Sequence, residues 1–293
     1  MKPAPFDYVA PTSLAEALEI LATRTDEAKI LAGGQSLIPV LNFRLAQPAL
    51  LVDINALATL DFVRPEGDGG LTIGALVRHR RLEREAEVAR RAPLLAEAVP
   101  FVAHPQIRSR GTFGGSLAHA DPAAEFPAVA IALGAKLRLQ KRGGDRWVQA
   151  RDFFTGLFAT AIEPGELLTE IRLPPAPPRT GVAFLEVARR HGDYAQVGVA
   201  ARLVLDESGS CREANLVFLS VGEGPVDAGR AAAALLGAPI DEGAITESAR
   251  LASTEEIDPV GDIHASADFK RHLVRVLTAR ALRLARQRSA QAA

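Results

Sequence analysis

Two short stretches hold the residue types that could do chemistry. One is LAGGQSLIPVLNFRLAQP, Leu31 to Pro48, and the other is RGTFGGSLAHADPAAEFP, Arg110 to Pro127. Each carries a Gly-Gly pair and a serine. Glycine adopts positive φ readily and leaves no Cβ in the way, so successive amides can turn inward as a nest for an anion. Gly33, Gly34, Gln35 and Ser36 could supply amides and a hydroxyl from the first stretch, and Gly114, Gly115 and Ser116, with the Thr112 hydroxyl, from the second. Amides and hydroxyls from both could surround one diphosphate. A hydrogen bond to a charged group is worth about 1.5–3 kcal/mol net, so several would anchor a dinucleotide without a lysine. The expectation is that the two loops grip a single diphosphate between them.

The commoner phosphate motifs do not fit. No Lys-Ser or Lys-Thr follows either loop, as a P-loop requires, and neither has the third glycine of the dinucleotide-binding fingerprint. A lone Gly-Gly pair usually marks a turn, a cap or tight packing; the repetition is what points to a ligand. Arg108 and Arg110 flank the second loop and could assist an anion, but read first as solvated or loop-bracing arginines. Asp121, before Pro122, reads as a helix start.

Other chemistry is excluded by counting. There is one cysteine, Cys211, whereas an iron–sulfur cluster takes about four. No disulfide can form within the chain, which suits a reducing compartment. The six histidines, at 79, 104, 119, 191, 264 and 272, show no metal-ligand spacing. A net charge of −1 gives no field to draw the chain to nucleic acid or an anionic membrane. No apolar run nears the roughly 20 residues of a membrane span, and a cytoplasmic location is expected.

The elements that must position the loops can be read from periodicity. At 293 residues two domains are expected. Ser13 and Glu16 form a capping box before Leu14, Ala17, Leu18 and Leu21, which share a helical face. Strands are expected at about Ala28–Leu31, Leu50–Ile54 and Leu71–Leu76. One helical stretch is expected over residues 80–102, with Pro93 opening a second segment. Ala135–Gln140 alternates as a strand, turning at Gly143–Gly144 toward Trp147, and Leu167–Leu173 reads as another strand. LPPAPPRTG, Leu173 to Gly181, holds four prolines, which neither a helix nor a central strand continues through. The main boundary is placed there. Three antiparallel strands follow, then helices at about Asp227–Leu236, Thr246–Ser253 and Ala267–Arg288. In the last, Phe269, Leu273, Val276, Leu277 and Leu284 recur at helical spacing. Its arginines read as a soluble face.

The stretches AGGQSLIP, RGTFGGSLAHADPAAEFPA, DFFTGLFATAIEPGELLTEIRLP and RRHGDYAQVGVAA, in that order and spacing, resemble the FAD-binding medium subunit of molybdenum hydroxylases of the carbon monoxide and xanthine dehydrogenase type. The likeness spans nearly the whole chain. It implies an α+β fold: a two-subdomain FAD-binding unit of the vanillyl-alcohol-oxidase (PCMH) type over residues 1–175, with subdomains of about 1–55 and 56–175, then a C-terminal domain over 179–293 with a three-stranded antiparallel sheet and helices. By motif match, Ala32 to Leu37 and Thr112 to Ser116 would bind the diphosphate. Ala118 and His119 would border the ribityl chain and flavin. Glu125 stands where relatives commonly have aspartate, at the flavin end. Leu168 would pack near the ring, and Asp193 and Tyr194 match the GDYA stretch beside it. Read alone, His119 suits a structural hydrogen bond, Asp193 a turn and Tyr194 a strand start. Phe113 replaces a commoner isoleucine and would add bulk beside the diphosphate. Glu186 lies where some relatives carry lysine.

The function implied is electron transfer. A large molybdenum-cofactor subunit would oxidise substrate, and a small subunit with [2Fe-2S] clusters would relay electrons to FAD here, in a dimer of heterotrimers; a chain with one cysteine must leave the clusters to other chains. No residue of this chain is assigned to catalysis or to a metal. Two alternatives stand beside it: a free-standing FAD oxidoreductase and a non-catalytic nucleotide-binding module.

Overall fold

A computed structural model describes residues 2–291. The first unit is β1 (Asp7–Val9), α1 (Leu14–Thr23), β2 (Ala28–Leu31), α2 (Leu37–Asn42) and β3 (Leu50–Asp53). Ser13 Oγ accepts from the Glu16 amide at 3.2 Å, and the Glu16 carboxylate accepts from the Thr12 amide at 2.8 Å. The capping box thus closes on Thr12 rather than on Ser13 itself. The strands are parallel, in the order β1-β3-β2. β1 escapes sequence reading because it is only 3 residues long, too short to show a period. Ala17, Leu18 and Leu21 of α1 cluster with Leu50, Val52 and Ile54. The first glycine loop leaves the carboxyl end of β2, the end at which parallel strands present ligand sites.

The second unit begins with β4 (Val63–Pro65) and β5 (Leu71–Gly74), followed by α3 (His79–Arg84), α4 (Ala86–Arg91), α5 (Pro93–Ala98), α6 (Pro105–Arg108), α7 (Phe113–His119) and α8 (Glu125–Ala132). It ends with β6 (Lys136–Lys141), β7 (Gly144–Gln149), α9 (Ala150–Phe153), β8 (Phe154–Gly156), β9 (Ala159–Thr160) and β10 (Leu167–Leu173). The helical stretch expected over 80–102 is broken at Glu85 and Ala92, both outside helical dihedrals. Ala92 precedes Pro93, whose ring disfavours α geometry in the residue before it. The main sheet is antiparallel, ordered β4-β5-β10-β6-β7, so the last strand of the unit lies at its centre. Every residue of α8 is buried, as a helix apolar on all sides requires.

The proline-rich segment 174–179 contains no regular element. Beyond it lie β11 (Thr180–Ala188), β12 (Ala195–Leu205), β13 (Cys211–Leu219) and β14 (Val226–Asp227), then α10 (Gly229–Ala233), α11 (Glu242–Glu255) and α12 (Ala267–Gln291). β14 makes the sheet four-stranded, not three-stranded; its two residues carry no readable alternation. Successive side chains of β11 point to opposite faces. Val182 and Phe184 join the core of the second unit, whereas Ala183, Leu185 and Val187 join the core under α12. The sheet is therefore covered on both sides. The buried face of α12 is Leu273, Val274, Leu277, Ala281, Leu282 and Ala285, while Phe269 is exposed. The expected face was rotated because alanines, not only large residues, let the helix settle on the sheet. At Gly181 a Cβ would strike the Ala285 carbonyl. Among the described residues no helix is long and apolar enough to cross a membrane.

Candidate functional site

The first loop is a nest of unused donors. No backbone amide from Ala32 to Leu37 donates to an acceptor among the described residues. The Gln35 side chain bonds the Gly33 carbonyl at 2.9 Å, and Gly34 has φ +71°, a conformation open to glycine at little cost. Ser36 caps α2 without a side-chain hydrogen bond. At the start of α2 the Ile38 amide donates to the Gly34 carbonyl and Pro39 has no N–H, so Leu37 alone adds an amide to those the loop offers an anion. This donor set fits a diphosphate.

The second loop is built differently. The Phe113 amide donates to the Val77 carbonyl at 2.9 Å and the Gly114 amide to the Ala75 carbonyl at 2.9 Å. The Gly115 amide is capped by Thr112 Oγ1 at 3.2 Å. Most donors expected to cradle an anion are thus spent on the scaffold. Helix phase explains the rest: Phe113, Gly114 and Leu117 face inward, and Gly115, Ser116 and His119 stay partly exposed. Phe113 packs edge-on against Phe126 with ring centroids 5.2 Å apart. The sequence expectation put its bulk beside the diphosphate; the ring lies wholly buried in the core. A Cβ on Gly114 would lie 2.5 Å from that of Ala75, so this glycine serves helix-to-strand packing.

The loops do meet. A Cβ on Gly33 would lie 2.5 Å from the Arg110 carbonyl oxygen and 2.8 Å from Gly111 Cα, and one on Gly115 would lie 3.7 Å from Ala32 Cβ. The side chain missing at Gly33 makes room for the other loop. Sequence reading missed the residues that span this junction. Arg78 donates to the Arg110 carbonyl and, at 2.6 Å, to Asn55 Oδ1. Asn55 Nδ2 donates to the Ala32 carbonyl at 2.8 Å and to Asp53 Oδ1 at 2.6 Å. The Tyr8 hydroxyl donates to Asp53 Oδ2 at 2.7 Å. Burial alone would raise the Asp53 carboxyl, but the bonds from Asn55 and Tyr8 and the Arg78 charge bring it below the usual range. None of these residues belongs to a local motif, so no spacing could have flagged them.

Beneath the second loop, His79 is buried and lies against Gly111, whose Cβ would come within 2.7 Å of the ring. Neither ring nitrogen is aligned for a hydrogen bond. Burial lowers its pKa to about 4; the nearby Thr112 backbone tempers the shift, and the Arg108 and Arg78 charges add to it. Arg108 is buried, paired with Glu83 at 3.3 Å and donating to the Val102 carbonyl at 3.0 Å. It is the loop brace that its sequence position suggested. Asp121 Oδ1 accepts from the Ala123 amide at 2.9 Å, a turn just ahead of α8.

Residues from separate elements gather beyond the carboxyl end of α7. The His119 and Phe158 rings are 5.2 Å apart. Phe158 has φ +53°, strained for a bulky residue, and stands exposed; it was not among the expected contacts. Ala118 is exposed, and burial lowers the His119 pKa. The GDYA turn is pinned to the second unit at Gly192, where φ is +88° and a Cβ would lie 2.8 Å from the Ala103 carbonyl. That places Asp193 and Tyr194 at the junction. Tyr194 is 74% exposed, yet crowding by the junction walls, then the Asp121 and Glu125 charges, raise its hydroxyl pKa. Leu168 is buried in the second unit's core, in the bulged part of β10. Glu125 heads α8 with its carboxyl buried, and burial lifts its pKa to about 7, with Asp121 adding to the rise. Glu186, on the face of β11 shared with Phe184, reaches about 8 through burial and the charge of Glu125. Its Oε2 has no hydrogen-bond partner. Where a lysine would put positive charge, this chain has an acid held mostly neutral.

Comparison with known proteins bears on the whole chain. Residues 4–176 match the family described as FAD binding domain in molybdopterin dehydrogenase, and residues 182–285 match the CO dehydrogenase flavoprotein C-terminal domain. The chain is 42% identical to the 6-hydroxypseudooxynicotine dehydrogenase complex subunit alpha of Paenarthrobacter nicotinovorans, over 99% of this chain and 97% of that one. It is similar to a structure of carbon monoxide dehydrogenase from Hydrogenophaga pseudoflava, with a TM-score of 0.95, 37% identity and coverage of 98% and 99% of the two chains. It is also similar to quinoline 2-oxidoreductase from Pseudomonas putida 86, with a TM-score of 0.91, 40% identity and coverage of 98% and 99%.

Proposed function

From the premise that this chain belongs to the family of FAD-binding medium subunits of molybdenum hydroxylases, we propose how its residues hold and serve the cofactor. The chain is the FAD-carrying electron-transfer subunit of a complex with a molybdenum-cofactor subunit and an iron–sulfur subunit, and we place it in the cytoplasm as part of a dimer of heterotrimers. One FAD-binding unit ends within the proline-rich segment, near residue 175, and the C-terminal domain begins near 179. When bound, FAD supplies a centre that takes electrons singly or in pairs.

The single observation that carries the site assignment is the row of unpaired amides from Ala32 to Leu37, facing a second glycine loop. The amides and Ser36 would hold the diphosphate from one side. Thr112, Gly115 and Ser116 would close on it from the other, with Phe113 and Gly114 fixing α7 in place. Ala118, His119, Asp193 and Tyr194 would border the flavin end, with Glu125 behind them and Leu168 as apolar backing. Glu186, raised to about 8, and Glu125, raised to about 7, would present partly or mainly protonated acid groups there rather than a fixed cation.

Titrating the apoprotein with FAD tests this assignment. Wild type should quench flavin fluorescence on binding. Gly33→Val should bind at least about tenfold more weakly, because its side chain would drive the two loops apart. Equal affinities would refute the placement of the diphosphate. Supplying reduced partner subunits should bleach the visible absorbance of bound FAD, whereas substrate turnover by the isolated chain would favour a free-standing oxidoreductase.

A further inference from the structure

The two loops come from different units that share an apolar core, with Leu76 and Leu167 packed against Leu18 and Leu50, and a chain of polar contacts runs between the loops themselves. Arg78 bonds a carbonyl of the second loop and, at 2.6 Å, Asn55 Oδ1. Asn55 in turn bonds the carbonyl of Ala32, in the first loop, at 2.8 Å. Asn55 is fixed from below by its own amide, which donates to Asp53 Oδ1 at 2.9 Å, and Asp53 is held by Tyr8 at 2.7 Å. The backbone of Arg78 also bridges to Thr112. Its guanidinium is a planar fork that can hold both partners at a fixed angle, which an ammonium cannot do.

We propose that Arg78, acting through Asn55, is a positioning residue for the cofactor: it clamps the two glycine loops at the separation that a diphosphate requires. The inference rests on the reading that these loops hold FAD. Arg78 spends its two bonds on protein groups, so its effect on affinity comes through loop spacing. A nest assembled before the ligand arrives loses less freedom on binding. Removing the clamp leaves the donors present but free to part.

The test compares FAD affinity, FAD release rate and the visible circular dichroism of the saturated flavin in Arg78→Gln, Arg78→Lys, Asn55→Ala and the Arg78→Gln/Asn55→Ala double variant. Arg78→Gln should bind FAD about tenfold more weakly and release it faster, with an altered flavin signal at saturation. Arg78→Lys should recover part of the affinity by reaching one partner. The double variant should be no worse than the more affected single variant, because both residues belong to one linkage. Asn55, exposed and outside any core, carries the test if Arg78→Gln does not fold. Wild-type affinity in Arg78→Gln or Asn55→Ala, additive losses in the double variant, or an unchanged flavin signal with losses that merely follow thermal stability would overturn the clamp. Wild type that fails to bind FAD would instead overturn the reading beneath it.

Discussion

Residue by residue, this site depends on which polar groups are left unpaired and which are spent. The amides of the first loop have no partner among the described residues, whereas those of Phe113 and Gly114 are committed to the Val77 and Ala75 carbonyls, just after β5. Two identical dipeptides thus do different work, and only their neighbours distinguish them. Buried acids behave similarly. Burial holds the Glu125 carboxyl up to about 7, from an ordinary value of 4.5. Its folded pKa is above its unfolded one, so the stability it contributes is full below about pH 4.5 and is lost as pH rises through 7. The change is worth about 3 kcal/mol. Glu186, at about 8, extends the same loss upward. The thermal midpoint of the apoprotein should therefore fall between about pH 5 and pH 8, and Glu125→Gln should flatten the profile. An identical profile in that variant would show that the group does not titrate in this window.

At the scale of elements, short α7 is where scaffold and site meet. Thr112 caps it by accepting from the Gly115 amide, and the helix turns Phe113 and Leu117 to the core while leaving Ser116 and His119 accessible. Thr112→Ala should cost about 1 kcal/mol of stability and weaken FAD binding, whereas Thr112→Ser should keep both; denaturant melts and FAD titration of the two variants check this. The phase of α7 follows from the spacing of its apolar residues, but nothing local tells that Ala75 and Val77, just after β5, lie close enough to consume two of its amides. The same limit applies to α12, whose true buried stripe includes alanines that periodicity in large residues overlooks.

Over the whole molecule, β11 makes the two domains one body. Phe184 faces Phe101 of the second unit with ring centroids 5.3 Å apart, and Arg288 of α12 reaches Glu97 of α5 at 2.7 Å. Because the sheet buries its inner face on α5 and α8, heating should unfold both domains in a single transition. Phe184→Ala should lower that transition by about 3–5 kcal/mol, and calorimetry would show whether it stays single; two resolved transitions in wild type would contradict a shared core. The GDYA turn is anchored to the second unit by the same route, held at Gly192 against Ala103. The sequence alone determined the two glycine-rich stretches, the proline-rich segment that no regular element crosses, and most helices and strands, since each is a property of residue type or short-range period. Tertiary structure decided which amides stay free, that Gly33 yields to a neighbouring loop, that Arg78 and Asn55 join the loops, and that half-buried Glu186 lies within reach of the buried Glu125 charge. Each of those depends on contacts between residues far apart in the chain, where no period survives to announce them.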